Sequence, residues 1–426
     1  MGPVSAPDWR FYGWRIVGVA FLVDFIAVGF FFYSYGVFFK AIAADLGSGT
    51  RFGVSLGLSI SNVVGAAVSP FIGRALDRVP IKRIMIAGAV CVSVGFGLLS
   101  QISAFWQYYL VLGTLLGIGG SLMGGLASSK LVANWFVARR GTAFGIATVG
   151  ISLSGLMMPT AATWLIATVG WRGGFGVYGL CTLAVVVPLV ARFVVDRPEA
   201  MGLRPDGDGP PSEAAEIRYA AETMWRTRDI VRSRNFWAIA LPFALVLSAL
   251  SAILVHLVPY ADDLGIPSYH AAWVLSISAG MGVLGKIAFG WLFDRFDARI
   301  AVWFSFGMQL AGLLLLMRAQ DYAGLVSAAV VFGFGMGGVI PLHASAAGTA
   351  FGRLSFGKVA GLLRPVQVPI TALGVPLAGW IYDATGSYES AFHLFAGVYV
   401  AAALIVAGLR VGNGSRNSLA TEHSVA

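Results

Sequence analysis

Three cations, one carboxylate and two imidazoles interrupt apolar runs in this chain. Lys130 stands in "GGLASSKLVANW", Lys286 in "GMGVLGKIAFGW", Arg364 in "VAGLLRPVQVP" and Asp24 in "FLVDFIAVG". A charge in the middle of such a run costs at least ~2.5–3.5 kcal/mol on insertion scales, so each is a functional hypothesis by default. Lys286 lies about 12 Å of helix before Asp294, and Arg364 about 10 Å in from Gly357. Two cations at similar depth make a clamp for one or two carboxylates. Asp24 sits ~15 Å deep, near the midplane, as a candidate proton carrier or a partner that neutralises a cation in an empty site. His256 in "SAILVHLVPY" and His343 in "GGVIPLHAS" are further candidates for binding a carboxylate, and His256 also for moving a proton. Tyr33 and Tyr35 in "GFFFYSYGVFF" offer hydrogen bonds to a bound acid, and Asn62 and Gln367 are polar groups of interest. Lys130, near the end of its run, is expected to snorkel toward the interface.

These residues need apolar elements to hold them. The 426-residue chain is 58% hydrophobic and 12% charged, against about 25% charged in soluble domains, so it belongs in a bilayer. Apolar stretches of about 20 residues span a ~30 Å core as helices. Twelve are expected, at about 14–38, 53–73, 84–102, 107–130, 141–163, 173–194, 236–260, 270–292, 299–318, 322–347, 358–381 and 388–410. Period-two alternation is absent, which argues against an outer-membrane barrel. The 55 glycines, with spacings such as Gly113–Gly117 and Gly333–Gly337, suit close helix packing.

Lys and Arg set the orientation. With both termini in the cytoplasm, 22 of the 29 basic residues fall on the inner side and 4 on the outer, the rest lying inside spans. That asymmetry also accounts for the net charge of +9 through anionic lipid, without nucleic acid. The expected organisation is a cytoplasmic N-terminus (1–13), a six-helix bundle (14–194), a cytoplasmic linker rich in Pro, Gly and charge (195–234), a second bundle (235–410) and a cytoplasmic tail (411–426). Cys91 and Cys181 lie in apolar runs without CxxC spacing, so no disulfide and no metal site is expected. The start lacks the pattern of a cleaved signal peptide. Gly280 to Lys286 imitates a phosphate-binding loop, but Ile287 replaces the required Ser or Thr and the context is an apolar helix, so no nucleotide is expected.

Two loops repeat. "GRALDRVPIKR" (73–83) and "GWLFDRFDAR" (290–299) share Gly-x-x-x-Asp-Arg, half a chain apart, which marks a carrier built from two similar halves. Asp77 and Arg78 in one and Asp294 and Arg295 in the other are expected to form cross-helix salt bridges that hold one conformation. The loops resemble the loop 2–3 and loop 8–9 signature of the major facilitator superfamily, with Pro80 and Ile81 standing where that family usually has Gly-Arg. "YGWRIVGVAFLVDF", "YSYGVFFKAIAADLG", "WFVARRGTAFGIATVG", "GWRGGFGVYG" and "RPEAMGLRPDGD", in that order, resemble the bacterial branch of the monocarboxylate porter family, near the oxalate/formate exchangers, over about 12–410.

The resemblance implies an all-α membrane protein, with twelve transmembrane helices in two pseudo-symmetric six-helix bundles, that moves organic anions. It makes Lys286 a ligand of the substrate carboxylate, because those families carry an arginine or lysine at this place. Oxalate exchangers carry a lysine in span eleven, the span that holds Arg364 here. An arginine common before the "YSFGVF"-like element is Phe32 in this chain. The expected function is monocarboxylate/H⁺ symport by alternating access. Lys286, Arg364, Tyr33, Tyr35, His256 and His343 would bind substrate, and Asp24 or His256 would couple a proton. The nearest alternative is an anion exchanger of the oxalate/formate type, which two cations also suit; a transport-like sensor is a more distant one. Neither enzyme activity nor a cofactor is expected. The expected partners are a small carboxylate, a proton and the bilayer, for a monomer in the inner (plasma) membrane.

Overall fold

The computed structural model describes residues 9–46, 51–207 and 224–410. The middle of the linker, 208–223, and the tail, 411–426, lie outside the described residues. Among the described residues, eleven helices are long and apolar enough to cross a membrane. They are α1 (Gly13–Phe38), α2 (Leu56–Arg78), α3 (Ile81–Leu99), α4 (Phe105–Trp135), the stretch Arg140–Phe193, α7 (Arg234–Asp263), α8 (Trp273–Arg295), α9 (Ala298–Arg318), α10 (Tyr322–Phe351), α11 (Phe356–Thr385) and α12 (Glu389–Val406). The stretch Arg140–Phe193 holds 54 residues, which as one rod would measure about 80 Å. It is two spans: Gly170, at φ 71° and ψ 170°, leaves helical space, a conformation glycine adopts at no steric cost. The parts on either side are α5 (140–169) and α6 (171–193), which makes twelve spans among the described residues.

Local signals start the helices where the charged loops stop. Ser233 accepts from the Asn235 amide at α7, Asp297 from Arg299 at α9 and Asp321 from Gly324 at α10, each satisfying an orphan first-turn donor.

The first six and last six spans each pack among themselves and meet along two seams, α2 with α11 and α5 with α8. Glycines on both sides make the seams close. A Cβ on Gly73 would fall on the backbone of Gly357, and one on Gly290 on the backbone of Gly141. With no apolar driving force between helices in lipid, such backbone approach is what gives them adhesion. Both seams lie toward the end that carries Asp77 and Asp294, called the closed end below. Toward the other end, Gly57 packs on Tyr108 and Gly374 on Ser248, each within its own half. Gly113, Gly117, Gly333 and Gly337 all sit against neighbouring helices, at Ile60, Ser61, Ser278 and Gly282.

Candidate functional site

A cavity of about 230 Å³ opens among α1, α2, α3, α4 and α6. Its wall is apolar around Ile26, Val28, Phe31, Phe32, Phe96 and Leu116, with Ser61, Asn62, Ser121 and Thr182 as polar points. Three of its helices carry a π turn at this level: Gly29–Tyr33 in α1, Leu112–Leu116 in α4 and Thr182–Val186 in α6. Each contributes lining side chains, namely Phe31 and Phe32, Leu116, and Thr182. A π turn inserts a residue into the helical register and is frequent at functional sites.

One lining residue comes from the other half. Arg364 of α11 reaches the cavity and has no hydrogen-bond or ion-pair partner among the described residues. The next residue, Pro365, has no N–H to give the carbonyl four residues back, that of Gly361. Ser69 of α2 donates to that carbonyl at 2.8 Å, across the seam. The proline therefore frees a backbone acceptor that the opposite half satisfies, directly beneath the cation.

Lys286 is elsewhere. It is 5% exposed, its Nζ donates to Ser152 Oγ of α5 at 2.7 Å, and among the described residues no carboxylate pairs with it. Ser152 lines a second cavity of about 230 Å³ between α5 and α8, walled by Leu153, Leu156, Trp273, Ile277 and Val283. The two cations thus lie at opposite seams rather than in one pocket. Asp24 is buried on α1 with Ser128 of α4 and the Gly125 backbone acting on its carboxyl. Tyr35 shares a hydrogen bond of 2.6 Å with Tyr108, and the Tyr33 ring lies over Gly155. His256 has both ring nitrogens engaged, with the Tyr388 hydroxyl and the Val375 carbonyl, each at 3.1 Å. His343 pairs with Gln367 at 3.0 Å and packs edge-on to Phe243.

At the closed end the repeated loops do related things. Asp77 accepts from the amides of Gly357 and Lys358 at 3.1 and 2.8 Å, the first turn of α11. Asp294 accepts from the amides of Gly141 and Thr142 at 2.6 and 2.7 Å, the first turn of α5. Each carboxylate caps a helix of the opposite half, where orphan N–H groups and the positive end of the helix dipole await an anion. Of the expected cross-helix salt bridges, Asp77 makes one, with Lys130 of α4, and both carboxylates serve as caps besides. Arg78 is exposed, and Arg295 lies over the Trp291 ring at 4.6 Å.

Lys130 does not snorkel: it is 1% exposed, bonded to Asp77 at 2.8 Å and to the Arg353 carbonyl. Its signal was the charge itself, too costly for the helix to bury alone. The ends of the linker join in. Glu199 pairs with Arg353, and the backbone of Trp225 accepts from Lys358 and donates to Ser355. Asp206, at φ 65°, accepts from three successive amides, Val137, Ala138 and Arg139, at 2.8–3.0 Å. Burial pushes its carboxyl above the usual range, against the pull of those amides.

Two six-span halves, glycine seams, carboxylate caps shared between the halves and a cavity holding a cation from across the seam define a membrane transporter, not an enzyme. Residues 21–368 match the family model of the Major Facilitator Superfamily, and the chain belongs to that superfamily. It is 27% identical to Monocarboxylate transporter 12-B of Danio rerio, with 98% of this chain and 92% of that one covered. It is 28% identical to Monocarboxylate transporter 2 of Homo sapiens, with 96% and 87% covered. Among solved structures, the fold is shared with a human organic anion transporter, at TM-score 0.67, 16% identity and 92% and 99% coverage. The E. coli fucose:proton symporter gives 0.65, 14%, 92% and 98%.

Proposed function

We propose that this chain carries a small monocarboxylate together with a proton by alternating access, as two bundles (14–194 and 235–410) rocking about a central site. The observation that carries the reading is Arg364: a cation unpaired among the described residues, facing a mostly apolar cavity small enough for a short organic acid. The names of the relatives, monocarboxylate transporters, support the substrate class. With both termini cytoplasmic, as the basic residues suggest, the closed end faces the cytoplasm and the cavity is reached from outside. Lys286, held by Ser152 at the α5–α8 seam, is the second cation. We take it to meet the carboxylate as the halves reorient. A monocarboxylate entering the cavity meets a single cation, which favours it over a dicarboxylate.

The test is uptake of labelled lactate, pyruvate and oxalate into proteoliposomes, with and without an inward proton gradient. Gradient-driven accumulation of lactate or pyruvate is the expected result. Uptake that requires internal anion and ignores the gradient would establish exchange instead. Lys286→Gln is expected to stop flux while the folded yield stays similar, and preserved flux would remove Lys286 from the site.

A further inference from the structure

Asp24 is 3% exposed and Ser128, on α4, is 1% exposed. Asp24 Oδ1 and Ser128 Oγ are both buried without a hydrogen bond of ordinary geometry among the described residues, although Ser128 and the Gly125 amide lie close enough to act on the carboxyl. Buried polar groups are almost always satisfied, so two neighbouring orphans call for an explanation. They lie beside an interruption of α4. Helical structure stops at Met123, Gly124 takes φ −102° and ψ −155°, and a new helix runs Gly125–Trp135. The two glycines face different ways. A Cβ on Gly124 would come 3.0 Å from Ala27 Cβ and 3.4 Å from Asp24 Oδ1, whereas one on Gly125 would meet nothing within 4 Å. Gly125 and Ala27 line the cavity that Arg364 enters. The carboxyl thus lies against Gly124, one residue from the cavity-lining Gly125.

Among the described residues, the charged groups on the elements around α1 are engaged elsewhere. Lys130 of α4 holds Asp77, and Arg140 at the start of α5 donates to the Phe136 carbonyl. On α6, Arg172 pairs with Asp45, Tyr178 with Ser34, and Arg192 lies over Phe193, while Cys181 is a free thiol. Asp206 is held by loop amides, and Arg15 of α1 lies over Tyr12. Among the described residues no cation pairs with Asp24.

We propose that Asp24 and Ser128 form the site of the coupling proton, and that the helix Gly125–Trp135 transmits its occupancy to the cavity and to the closed end. The proposal rests on the carrier reading above. A proton turns the carboxyl into a donor, and Ser128 Oγ is an acceptor beside it, so one proton satisfies both orphans. When the proton leaves, the carboxylate only accepts. The donors then available are the Ser128 hydroxyl and the Gly125 amide, an orphan of a helix first turn. Both belong to the same eleven-residue helix. That helix carries Gly125 at the cavity, Ser128 at Asp24 and Lys130 at Asp77 and the Arg353 carbonyl. A shift of one short helix toward α1 therefore reaches all three places, with the Gly124 break as its hinge.

The full chain in proteoliposomes and in nanodiscs tests this. Asp24→Asn is expected to keep counterflow of labelled lactate at equal pH and to lose accumulation driven by a proton gradient. In nanodiscs without substrate, infrared titration is expected to show the carbonyl stretch of a buried carboxylic acid that is absent in Asp24→Asn and shifted in Ser128→Ala. Gradient-driven accumulation by Asp24→Asn equal to wild type, or a titrating band unchanged by both substitutions, overturns the proposal. Absence of lactate flux in the wild type would refute the substrate reading alone, because the infrared measurement needs no substrate.

Discussion

Arg364→Gln is expected to abolish saturable anion binding while leaving the folded protein at least as stable as the wild type. The two halves of that result have one cause. In the empty state the guanidinium has no carboxylate partner among the described residues, so its removal orphans no buried acid. A half-buried charge against a mostly apolar wall, without a partner, is a net cost to folding, and a neutral amide relieves it. The bound anion, by contrast, loses its counter-charge. Truncating one member of a buried, hydrogen-bonded charge pair costs about 2–5 kcal/mol, which is about 30-fold to several thousand-fold in Kd. Arg364→Lys keeps the charge and loses the two-pronged geometry, so it should fall between the two. Calorimetric titration with lactate and a melting curve in the same detergent check both halves. Unchanged affinity in Arg364→Gln, or a melting temperature that falls with it, would remove Arg364 from the binding site.

Asp77→Asn is expected to open the closed end, and to do so more strongly than Asp294→Asn. Both carboxylates cap the first turn of a helix in the opposite half, through two amides each. Only Asp77 also holds a buried cation, Lys130, at 2.8 Å. Breaking a buried ion pair from one side costs about 3–5 kcal/mol, because the surviving charge is left stranded. Weakening a cap alone costs about 0.5–2 kcal/mol. Since about 1.4 kcal/mol is tenfold in a two-state equilibrium, the first substitution shifts the population by about a hundredfold or more and the second by about tenfold. Spin labels at Val79 and Phe296, which are 43% and 50% exposed in the two repeated loops, report the separation of the halves. Cys91 and Cys181 are replaced beforehand. Equal shifts for the two variants would show that Lys130 contributes nothing to closure.

Much of the architecture was legible before any coordinates. Long apolar runs, the repeated Gly-x-x-x-Asp-Arg and the basic loops carry it, because a bilayer tolerates few arrangements of exposed backbone. The division at Gly170 was legible too, as two successive span-length runs, 141–163 and 173–194. The residues that join the halves were harder. Ser69 and Ser152 are ordinary hydroxyls within apolar helices, and only the crossing of α2 with α11 and of α5 with α8 gives them a carbonyl and a lysine to meet. Lys130 read as an interfacial lysine because sequence depth cannot show that Asp77, 53 positions away, lies beside it. Asp206 was hidden in a segment whose composition is that of a linker. Its hold on three amides depends on a left-handed backbone that few residues other than glycine adopt. Lys286 and Arg364 were legible as costly charges at similar depth. Their separation onto two seams was not, because depth along a helix says nothing about which face a side chain occupies.

The amides that begin α5 are divided between two owners: those of residues 137–139 belong to Asp206, and those of 141 and 142 to Asp294. Asp206 sits on the same side of the seam as the amides it holds, so the proposed rocking would leave it in place while Asp294 departed with the other half. Opening of the closed end would then uncover a fixed electropositive spot at the mouth of the new passage, and the departure of Asp77 a second at α11. Anions approaching from that side meet a raised local concentration and a faster encounter, an effect that weakens as ionic strength rises. Return flux from that compartment should accordingly depend more steeply on salt than flux in the forward direction.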